Sequence, residues 1–261
     1  MINMITSTKN EKIKDIRALQ SKKKHRTSTG SFIVEGVRLL EEALGSDLVP
    51  LTCLYTEDLQ ERGMTLVEQA ADLNASIEVV MPHVMSAASD TKNPQGALMV
   101  FPFPEIPDPK NFTSVLILDK LKDPGNMGAL LRSALAANID SVWLTPDCVD
   151  PFSPKVVRAG MGAHFRLQIK NLTFSEISSS LLEYQLELFV SEMDAGLKYS
   201  ESNFKQPLAI VIGSEAIGTS QHFLDLPHTK IHIPMPGKIE SLNASAAGSI
   251  LLFEVVRQRD L

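Results

Sequence analysis

Cysteine is scarce in this 261-residue chain, and its scarcity excludes a disulfide scaffold. The two cysteines, Cys53 and Cys148, lie far apart inside apolar stretches, which is typical of buried free thiols in a reducing cytoplasm. Long hydrophobic runs are absent as well. No run reaches the roughly 18 residues of a membrane span, and the N-terminus has no hydrophobic signal-peptide segment. We therefore expect a cytoplasmic protein without a membrane partner.

Two nucleotide-binding fingerprints are also missing. No G-x-G-x-x-G follows the first strand, which disfavours a nicotinamide dehydrogenase. Residues 213–220 read GSEAIGTS and almost fit the phosphate-binding pattern G-x-x-x-x-G-K-[ST]. However, Thr219 replaces the lysine, and Glu215 would repel a triphosphate. We therefore reject an ATPase and expect a ligand without phosphates, such as a cationic one.

The histidines give no convincing metal-binding pattern. Only His228 and His232, among the six, are four residues apart, and they span a Pro-flanked loop and a strand. Two ligands at that spacing need one helical face in order to converge on a metal ion. We therefore predict no bound metal.

The charge is distributed unevenly along the chain. The composition, with 44% apolar and 21% charged residues, is that of a globular protein with one large domain or two modest ones. The net charge is −6, yet residues 1–30 carry eight Lys and Arg against Glu11 and Asp15. A basic arm on an acidic body is typical of a protein that docks a polyanion, with nucleic acid the first candidate. Charge alone leaves a solvated, mobile terminus as the alternative.

Strands alternate with helices in the first hundred residues. Hydrophobic periodicity predicts a helix over 8–20 and a polar, basic loop over 21–31. Further strands are predicted at 31–35, 51–56, 77–81 and 97–101, and further helices at 36–44, at 62–73 and after His83. This alternation is typical of an α/β domain. Four prolines between 102 and 109 then indicate a semi-rigid linker, so we place the domains at 1–101 and 113–261 and the linker at 102–112.

The second half repeats the alternation with more strongly apolar strands. Strands are predicted at 115–119, 141–145, 165–169, 186–191, 208–213 and 230–235, and helices at 127–137, 154–160, 174–184 and 246–256. Because these strands are apolar on both faces, we expect a mainly parallel sheet covered by helices. Ligands of such sheets bind beyond the carboxyl ends of the strands.

Three loops at that edge have unusual chemistry. In the first, Pro124-Gly125-Asn126 is a turn that leads into a helix, with Asn126 as a possible N-cap. Arg132, further along, presents planar donors suited to phosphate, although capping plus a surface arginine explains these residues equally well. The second loop is 213–220. In the third, a Pro/Gly turn precedes a helix that opens with small residues over 241–249, which let a backbone or a ligand approach closely.

Taken in this order, the loops closely resemble those of the SpoU/TrmH family of RNA ribose 2′-O-methyltransferases, in the SPOUT superfamily. The matching motifs are Asn126-x-Gly-x-x-x-Arg132, Ile212-Gly-Ser-Glu215 and Ile233-Pro-Met followed by Ser241-Leu-Asn243, and the match covers roughly 113–259. The N-terminal domain looks like the L30e-like substrate-binding domain that is often attached to this family. That looser similarity rests on 9–17, 32–36 and 95–97.

The resemblance implies a deep trefoil knot at the C-terminal end of the parallel-sheet domain, with S-adenosylmethionine bound in the knot. The family's cofactor positions fall on Gly213, Ile233 and Leu242, with Met235 and Ser241 nearby. A glycine would admit the ligand, and apolar Ile233 and Leu242 would clasp the adenine ring. Glu215 is compatible with this cofactor, because the cofactor carries a sulfonium and no phosphate.

The resemblance also implies a reactive cluster made of Arg132, Asn126, Glu215 and Asn243. A ribose hydroxyl must lose its proton as it attacks the methyl group. The family proposal makes the arginine the general base, but arginine side chains in general have a pKa above about 12. The alternative is that Arg132 binds the adjacent RNA phosphate and favours the ionised hydroxyl electrostatically. For both asparagines, capping is the alternative role.

The function predicted from the resemblance is 2′-O-methylation of a ribose in ribosomal RNA by a homodimer, with no DNA partner. The candidate RNA-binding residues in the basic arm are Lys22, Lys23, Lys24 and Arg26. A tRNA methyltransferase is one alternative, although small tRNA enzymes of this family typically lack the extra domain. A non-catalytic RNA-binding module is another, which the intact cluster disfavours. Departures from the family pattern at Asn138, Ala216 and Ser220 leave that cluster unchanged.

Overall fold

The computed structural model describes residues 4–193, 196–215, 217–237 and 239–259. The chain divides into two compact units. The first unit contains the described residues up to Glu105 together with Phe152–Arg166, and the second contains Ile106–Pro151 together with the described residues from Leu167 onward. The sequence did not predict that 152–166 join the first unit. They do so because Val157 and Phe165 are buried in its core. The predicted boundary at 102–112 stays a prediction.

Helices and strands alternate along most of the chain. The helices are α1 (Glu11–Ser21), α2 (Lys23–Thr29), α3 (Val37–Leu44), α4 (Glu61–Asp72), α5 (Pro82–Ala88), α6 (Pro124–Ala136), α7 (Pro154–Gly160), α8 (Phe174–Glu183), α9 (Gln221–Leu224) and α10 (Ala244–Arg259). The strands are β1 (Ser31–Glu35), β2 (Thr52–Tyr55), β3 (Ser76–Val79), β4 (Ala97–Pro102), β5 (Ser114–Leu118), β6 (Ser141–Leu144), β7 (Gln168–Asn171), β8 (Glu187–Ser191), β9 (Leu197–Lys198), β10 (Leu208–Ile212) and β11 (Thr229–His232). Within the described part of the chain, no helix combines the length and the apolar character needed to cross a bilayer.

The first unit is built on a four-stranded sheet in the order β1-β4-β2-β3. Strand β4 is antiparallel to both β1 and β2, whereas β2 and β3 are parallel. Helix α1 packs on this unit through Ile13, Ile16 and Leu19, which are buried and recur at helical spacing. Its N-cap is Asn10, whose side chain accepts a hydrogen bond from the Lys12 N–H at 2.9 Å.

The basic segment after α1 is a helix, and the predicted loop over 21–31 is wrong. Helix α2 ends at Thr29 and is capped by Gly30, which adopts the left-handed conformation with φ of 61°. The periodicity of this segment is weak because Arg26 is the one buried residue of α2. The polar composition of this segment therefore suggested a loop. In the structure, the contacts of one buried residue, Arg26, support a helix.

The second unit is a seven-stranded sheet in the order β7-β6-β5-β10-β8-β11-β9, and each of its described strand pairs is parallel. Strands β5 and β10 are buried along their whole length. The predicted mainly parallel sheet is therefore confirmed. Strand β9 and helix α9 are too short to have given a periodic signal, and the sequence did not predict them.

Helices α6 and α10 pack against each other on this sheet. A side chain at Gly248 would overlap Leu130 of α6, and the Ser133 and Ser249 hydroxyls are 2.7 Å apart. Part of the small-residue run over 241–249 therefore serves helix packing, because a glycine and a serine allow the two helix axes to approach closely. The sequence had left open whether a backbone or a ligand approached there.

Candidate active site

Two of the three unusual loops leave the sheet side by side. Strands β5 and β10 are parallel neighbours, with Leu118 paired to Ile212. The loops that begin at Asp119 and Gly213 therefore start at the same carboxyl edge, where ligands of parallel sheets bind. The third loop follows β11, which is separated from β10 by β8 in the same sheet.

Hydrogen bonds join all three loops through one side chain. The Nδ2 of Asn243, in the third loop, donates to Oδ1 of Asn126 at 2.8 Å. The Nδ2 of Asn126 donates in turn to Oε1 of Glu215 in the second loop. Because both ends of the Asn126 amide have a partner, its orientation is fixed. The structure thus brings together three of the four residues predicted for the reactive cluster, and we refer to them as the Asn126 relay.

The two asparagines differ in their capping roles. The Oδ1 of Asn243 accepts from the Ser245 N–H at 2.9 Å and from the Ser245 hydroxyl at 2.6 Å, so this residue caps α10 while its amide end serves the relay. The N-cap of α6 is Asp123, whose Oδ1 accepts from the Asn126 N–H at 2.7 Å. The alternative role of Asn126, as the N-cap of this helix, is therefore wrong, because the helix begins earlier, at Pro124.

Arg132 is exposed on α6 and lies outside the relay. It follows Asn126 by six residues, which corresponds to about 9 Å along a helix axis. Its side chain has no hydrogen bond or ion pair with any described residue of the chain. The fourth predicted member of the cluster is therefore a free, exposed cation on the helix that carries Asn126.

A cavity of about 700 Å³ lies between the second and third loops. All five predicted cofactor positions line it, namely Gly213, Ile233, Met235, Ser241 and Leu242. This volume is within the range of cavities that hold small organic ligands. Two relay members, Glu215 and Asn243, line the same cavity. The relay is therefore adjacent to the space that a cofactor would fill.

The cavity is acidic. Besides Glu215, its lining includes Glu192 and Glu240, which the sequence did not single out. No Lys or Arg is among the described residues that line it. Opposite charges in a partly enclosed site attract, so this lining favours a cationic ligand over a triphosphate. The sequence signal that could have identified Glu192 is its position directly after β8, at the edge of the sheet where ligands bind.

Gly213 is explained by the turn that follows it. The Ser214 N–H donates to the Gly218 carbonyl at 3.1 Å, and the Gly218 N–H donates back to the Ser214 carbonyl at 2.8 Å. This brings the backbone of Gly218 and Thr219 so close to Gly213 that a Cβ would overlap it. The reason predicted for this glycine was ligand access, and the structure supplies a different one. The departure at Ala216 lies outside the described residues.

Asp119 connects the bases of the first two loops. It is fully buried, and its carboxylate accepts from the Ser220 N–H at 2.6 Å, the Ser220 hydroxyl at 2.9 Å and the Thr145 hydroxyl at 3.1 Å. Several donors are needed to compensate a buried carboxylate for its lost hydration. The sequence analysis missed Asp119 as a site residue. The sequence signal that could have identified it is an acidic residue directly after an apolar strand.

Neither cysteine is suited to act as a nucleophile. Burial raises the pKa of the Cys53 thiol to about 12, and burial also raises the pKa of Cys148. Both therefore hold their protons at neutral pH, whereas the thiolate is the reactive form. In the part of the chain that the structure describes, no group of three or more His, Cys, Asp or Glu is placed to hold a metal ion.

The basic arm divides into exposed and buried members. Lys22, Lys23 and Lys24 are exposed at the start of α2. Arg26 is only 4% exposed and donates to the main-chain carbonyls of Leu19 and, at 3.2 Å, Gln20. Its guanidinium satisfies carbonyl groups at the end of α1, so Arg26 is removed from the predicted RNA-binding set.

The fold and the site together indicate the class of protein to which this chain belongs. The second unit is a parallel α/β domain with an acidic ligand cavity at the carboxyl edge of its strands. The family model described as the SpoU rRNA Methylase family matches residues 113–253, which is more than half of the chain. The chain belongs to that family, as the motifs predicted. The model of the MRM3-like substrate binding domain matches residues 10–99 of the first unit.

Relatives align over nearly the whole chain. The 23S rRNA (guanosine(2553)-2′-O)-methyltransferase RlmP of Bacillus subtilis is 30% identical, over 97% of this chain and 99% of the relative. The human mitochondrial rRNA methyltransferase 3 is 30% identical, over 95% of this chain and 72% of the relative. The crystal structure of an AdoMet-bound rRNA methyltransferase from Sinorhizobium meliloti superimposes with a TM-score of 0.84 at 28% identity, over 98% of this chain and 97% of the other. These similarities confirm the predicted fold.

Proposed function

We propose that this chain transfers the methyl group of S-adenosylmethionine to a ribose 2′-hydroxyl in ribosomal RNA. The observation that carries the proposal is the Asn126 relay, which joins three loops at the edge of the cavity lined by all five cofactor positions. The names of the relatives support it, because RlmP acts on 23S rRNA and the Sinorhizobium meliloti enzyme binds AdoMet.

The chemistry of the cavity fits this cofactor. Apolar Ile233 and Leu242 can pack against the adenine, while the carboxylates of Glu192 and Glu240 favour the cationic part of the molecule. The bound cofactor supplies an electrophilic methyl group. The protein's part is to hold that methyl group in line with the attacking ribose oxygen, and such positioning can account for much of the rate enhancement.

The relay would orient the ribose. The Glu215 carboxylate is exposed, and the Asn126 amide holds it at the cavity edge. In our proposal Arg132 binds the phosphate next to the target ribose and stabilises the developing oxyanion of the 2′-hydroxyl electrostatically. A general-base role for Arg132 is the alternative, and the pH dependence of transfer in an Arg132→Lys variant distinguishes the two.

A homodimer would bring Arg132 into the site of the partner. Helix α10 exposes Ile250 and Phe253, which are 37% and 49% accessible, on one face. Helix α6, which carries Arg132, packs beside it. An exposed apolar patch of this kind on paired helices is typical of a subunit interface. We propose that this face mediates dimerisation and that Arg132 acts across it. The trefoil knot is likewise proposed on the basis of family membership.

The proposal also specifies the class of RNA that serves as the substrate. A match to a substrate-binding domain over 10–99 favours a large structured RNA over the tRNA alternative. The two free cysteines, Cys53 and Cys148, fit a reducing compartment such as the cytoplasm. We therefore also propose a cytoplasmic location.

The decisive experiment measures transfer of a labelled methyl group from S-adenosylmethionine to unmodified ribosomal RNA and, in parallel, to unmodified tRNA. The expected result is labelled ribosomal RNA whose methylated position resists alkaline hydrolysis, because a blocked 2′-hydroxyl cannot attack the adjacent phosphate. Label in tRNA alone would support the tRNA alternative. RNA binding without transfer to either would support the non-catalytic module.

A further inference from the structure

A groove of about 660 Å³ lies between α3 and α4 of the first unit. Both helices cover the same face of the four-stranded sheet, because their buried residues share one core with Cys53 of β2. Helices α1 and α5 pack on the opposite face, in a core that contains the next residue, Leu54. The sheet therefore separates this groove from the helix that leads into the lysines of α2.

One end of the groove exposes apolar side chains. Leu73, which directly follows α4, lines the groove and is exposed. Leu51 and Val49, before β2, are exposed as well. Leu51 lies near Leu73, because its carbonyl accepts at 3.0 Å from the N–H of Ser76, three residues after Leu73. Exposed large apolar residues that cluster beside a groove are typical of a surface that docks another chain.

The charges along α4 are unfavourable in the isolated chain. Asp72 is the last residue of this helix, where the helix dipole favours a cation, and the last turn contains no Lys or Arg. Glu68 precedes Asp72 by four residues, and like charges at this spacing repel each other. Both residues are exposed, and neither carboxylate has a hydrogen bond or ion pair with another described residue. Positions that break such local rules without compensation are expected at functional sites.

The cation that lines the groove is already neutralised. Arg62 donates to the carboxylate of Glu41 at 2.5 and 2.6 Å. Asp47, in the turn after α3, adds a third exposed carboxylate to this side of the unit. The surface would therefore repel an RNA phosphate, whereas a chain with Lys or Arg would relieve the repulsion between its carboxylates.

We propose that the groove between α3 and α4 docks a cationic amphipathic helix of a protein that is bound to the RNA substrate. Apolar residues of that helix would pack on Leu51 and Leu73, and its Lys or Arg would neutralise Glu68 and Asp72. The groove follows α4 from Arg62 to Leu73, a length of about 16 Å that accommodates about three helical turns.

The class of partner follows from the proposed function, on which this part of the proposal rests. Proteins that cover RNA carry many Lys and Arg residues, because these neutralise the phosphates. A methyltransferase that meets its RNA in a particle with such proteins would find cationic segments next to its target. An acidic, apolar groove on the first unit would recognise one of them.

The test compares two double variants with matched geometry. Asp72→Lys combined with Leu73→Ser changes an exposed pair at the end of α4, and Leu182→Ser combined with Glu183→Lys changes an exposed pair at the end of α8. Each variant exchanges one carboxylate for a lysine and one leucine for a serine, so the change in net charge is the same. Both should fold, because no buried group is lost and a cation suits the end of a helix. Thermal unfolding checks this.

The probe for direct binding is a peptide of leucine and lysine, about 14 residues long, that forms an amphipathic helix. Fluorescence anisotropy at physiological salt measures its affinity. The α4 variant should bind it about tenfold more weakly or worse, which is the magnitude for loss of an interface anchor. The α8 variant should stay within about twofold of the wild type, as expected for a surface change outside the site. The same peptide with glutamate in place of lysine should not bind. Equal affinities of the two variants for the lysine peptide would overturn the proposal.

Methyl transfer tests the partner. The two substrates are protein-free ribosomal RNA and ribosomal particles with their proteins, both unmethylated at the target. The α4 variant should keep the wild-type KM for the protein-free RNA, and its KM for the particles should rise about tenfold, in step with the loss of peptide affinity. A wild-type KM for the particles would overturn the proposal, as would an equal rise for both substrates. Light scattering provides one more outcome, since a loss of mass in the α4 variant alone would make a second copy the occupant and overturn the partner named here.

Failure of this proposal can be distinguished from failure of the proposed function. If the wild type methylates ribosomal RNA and the α4 variant matches it on both substrates, the groove assignment is wrong and the enzyme assignment stands. If the wild type methylates no RNA while the peptide binds through the end of α4, the groove docks a cationic helix and the enzyme assignment is wrong.

Discussion

At the residue scale, the Asn126 side chain contacts both of the other candidate-site loops. Its amide oxygen accepts from Asn243 and its amide nitrogen donates to Glu215. An aspartate at this position would place two carboxylates against each other, and an alanine would leave both partners without their hydrogen bond. The side-chain amide of Asn126 thus links the three loops and holds them in one arrangement.

Arg132 is the residue on which the chemistry depends in our proposal. We predict that Arg132→Ala lowers the rate of methyl transfer by about 100-fold or more, as loss of an oxyanion-stabilising group does. Cofactor affinity should stay within a few-fold, because Arg132 does not line the cavity. Single-turnover transfer and calorimetric titration with S-adenosylmethionine measure the two effects. A loss of cofactor binding would reassign Arg132 to the cofactor.

Asp119 acts on the site indirectly, through its hydrogen bonds with Ser220. We predict that Asp119→Asn lowers the free energy of unfolding by about 2–4 kcal/mol, because the new amide N–H groups face the donors of Ser220 and Thr145. The KM for S-adenosylmethionine should rise more than kcat falls, since the displaced loop lines the cavity. Thermal unfolding and steady-state kinetics test this. Ser220→Ala keeps the main-chain donor and should cost only about 1 kcal/mol, so an equal cost for both variants would contradict the prediction.

At the scale of elements, the loop after β10 and the helix α2 are the features on which cofactor binding and RNA binding depend in our proposal. The loop is held by a tight turn over 214–218 and by Asp119 at its base. Lys22, just before helix α2, and Lys23 and Lys24, in its first turn, are three consecutive lysines near a buried arginine that anchors the helix to α1. Each element is therefore fixed by backbone or buried contacts while its functional groups face solvent.

Gly213→Ala should disrupt the second loop. The added Cβ would overlap main-chain atoms of Gly218 and Thr219, which cannot rotate away. We predict a loss of stability of about 1–3 kcal/mol, as for other overpacked positions, and at least tenfold weaker cofactor binding. Gly237→Ala is the matched control, because its Cβ would meet open space. Equal behaviour of the two variants, by thermal unfolding and cofactor titration, would contradict this account of the turn.

The lysines of α2 should contribute to RNA binding by neutralising phosphates. We predict that replacing Lys22, Lys23 and Lys24 with Ala weakens binding to ribosomal RNA and flattens the plot of log K against log salt, by about 0.7–0.9 for each phosphate that is no longer neutralised. Binding titrations over a range of salt concentrations measure the slope. The triple arginine variant keeps the charge and should keep the slope. A slope unchanged in the alanine variant would leave α2 without a role in RNA binding.

At the scale of the whole molecule, the proposed active site requires two chains. The Asn126 relay is complete within one chain, whereas Arg132 is exposed on α6, the helix that packs against α10. Pairing two copies through the exposed apolar face of α10 would bury Ile250 and Phe253 and supply the missing cation to each site. Such an isologous interface is the commonest form of protein assembly.

We predict that a variant with both Ile250→Glu and Phe253→Glu is monomeric and inactive, because the charges cannot be buried in an apolar interface. Light scattering after size exclusion measures the mass, with Leu182→Glu as control, since Leu182 is 81% exposed on α8. Mixing Arg132→Ala with Asn126→Ala chains should restore transfer if Arg132 acts across the interface. A monomeric wild type would contradict the prediction. A dimeric but inactive mixture of the Arg132→Ala and Asn126→Ala chains would contradict it as well.

Most of the strands, most of the helices and the family could be predicted from the amino-acid sequence. Apolar runs such as 115–119 and turns such as 124–126 report local backbone preferences, so their spacing predicted the parallel sheet and the ligand edge. All five cofactor positions that the family motifs predicted line the cavity between the second and third loops. These features depend on neighbours within a few residues, and for that reason they can be recognised in a chain without coordinates.

Which distant groups meet could be learned only from the folded chain. Asp119 and Ser220 are 101 residues apart in the chain, and Asn126 and Asn243 are 117 apart. The packing of 152–166 in the first unit likewise depends on partners remote in sequence. A hydrogen bond over such a separation leaves no periodic trace, because its geometry is set by the whole fold and not by the residues adjacent to either partner.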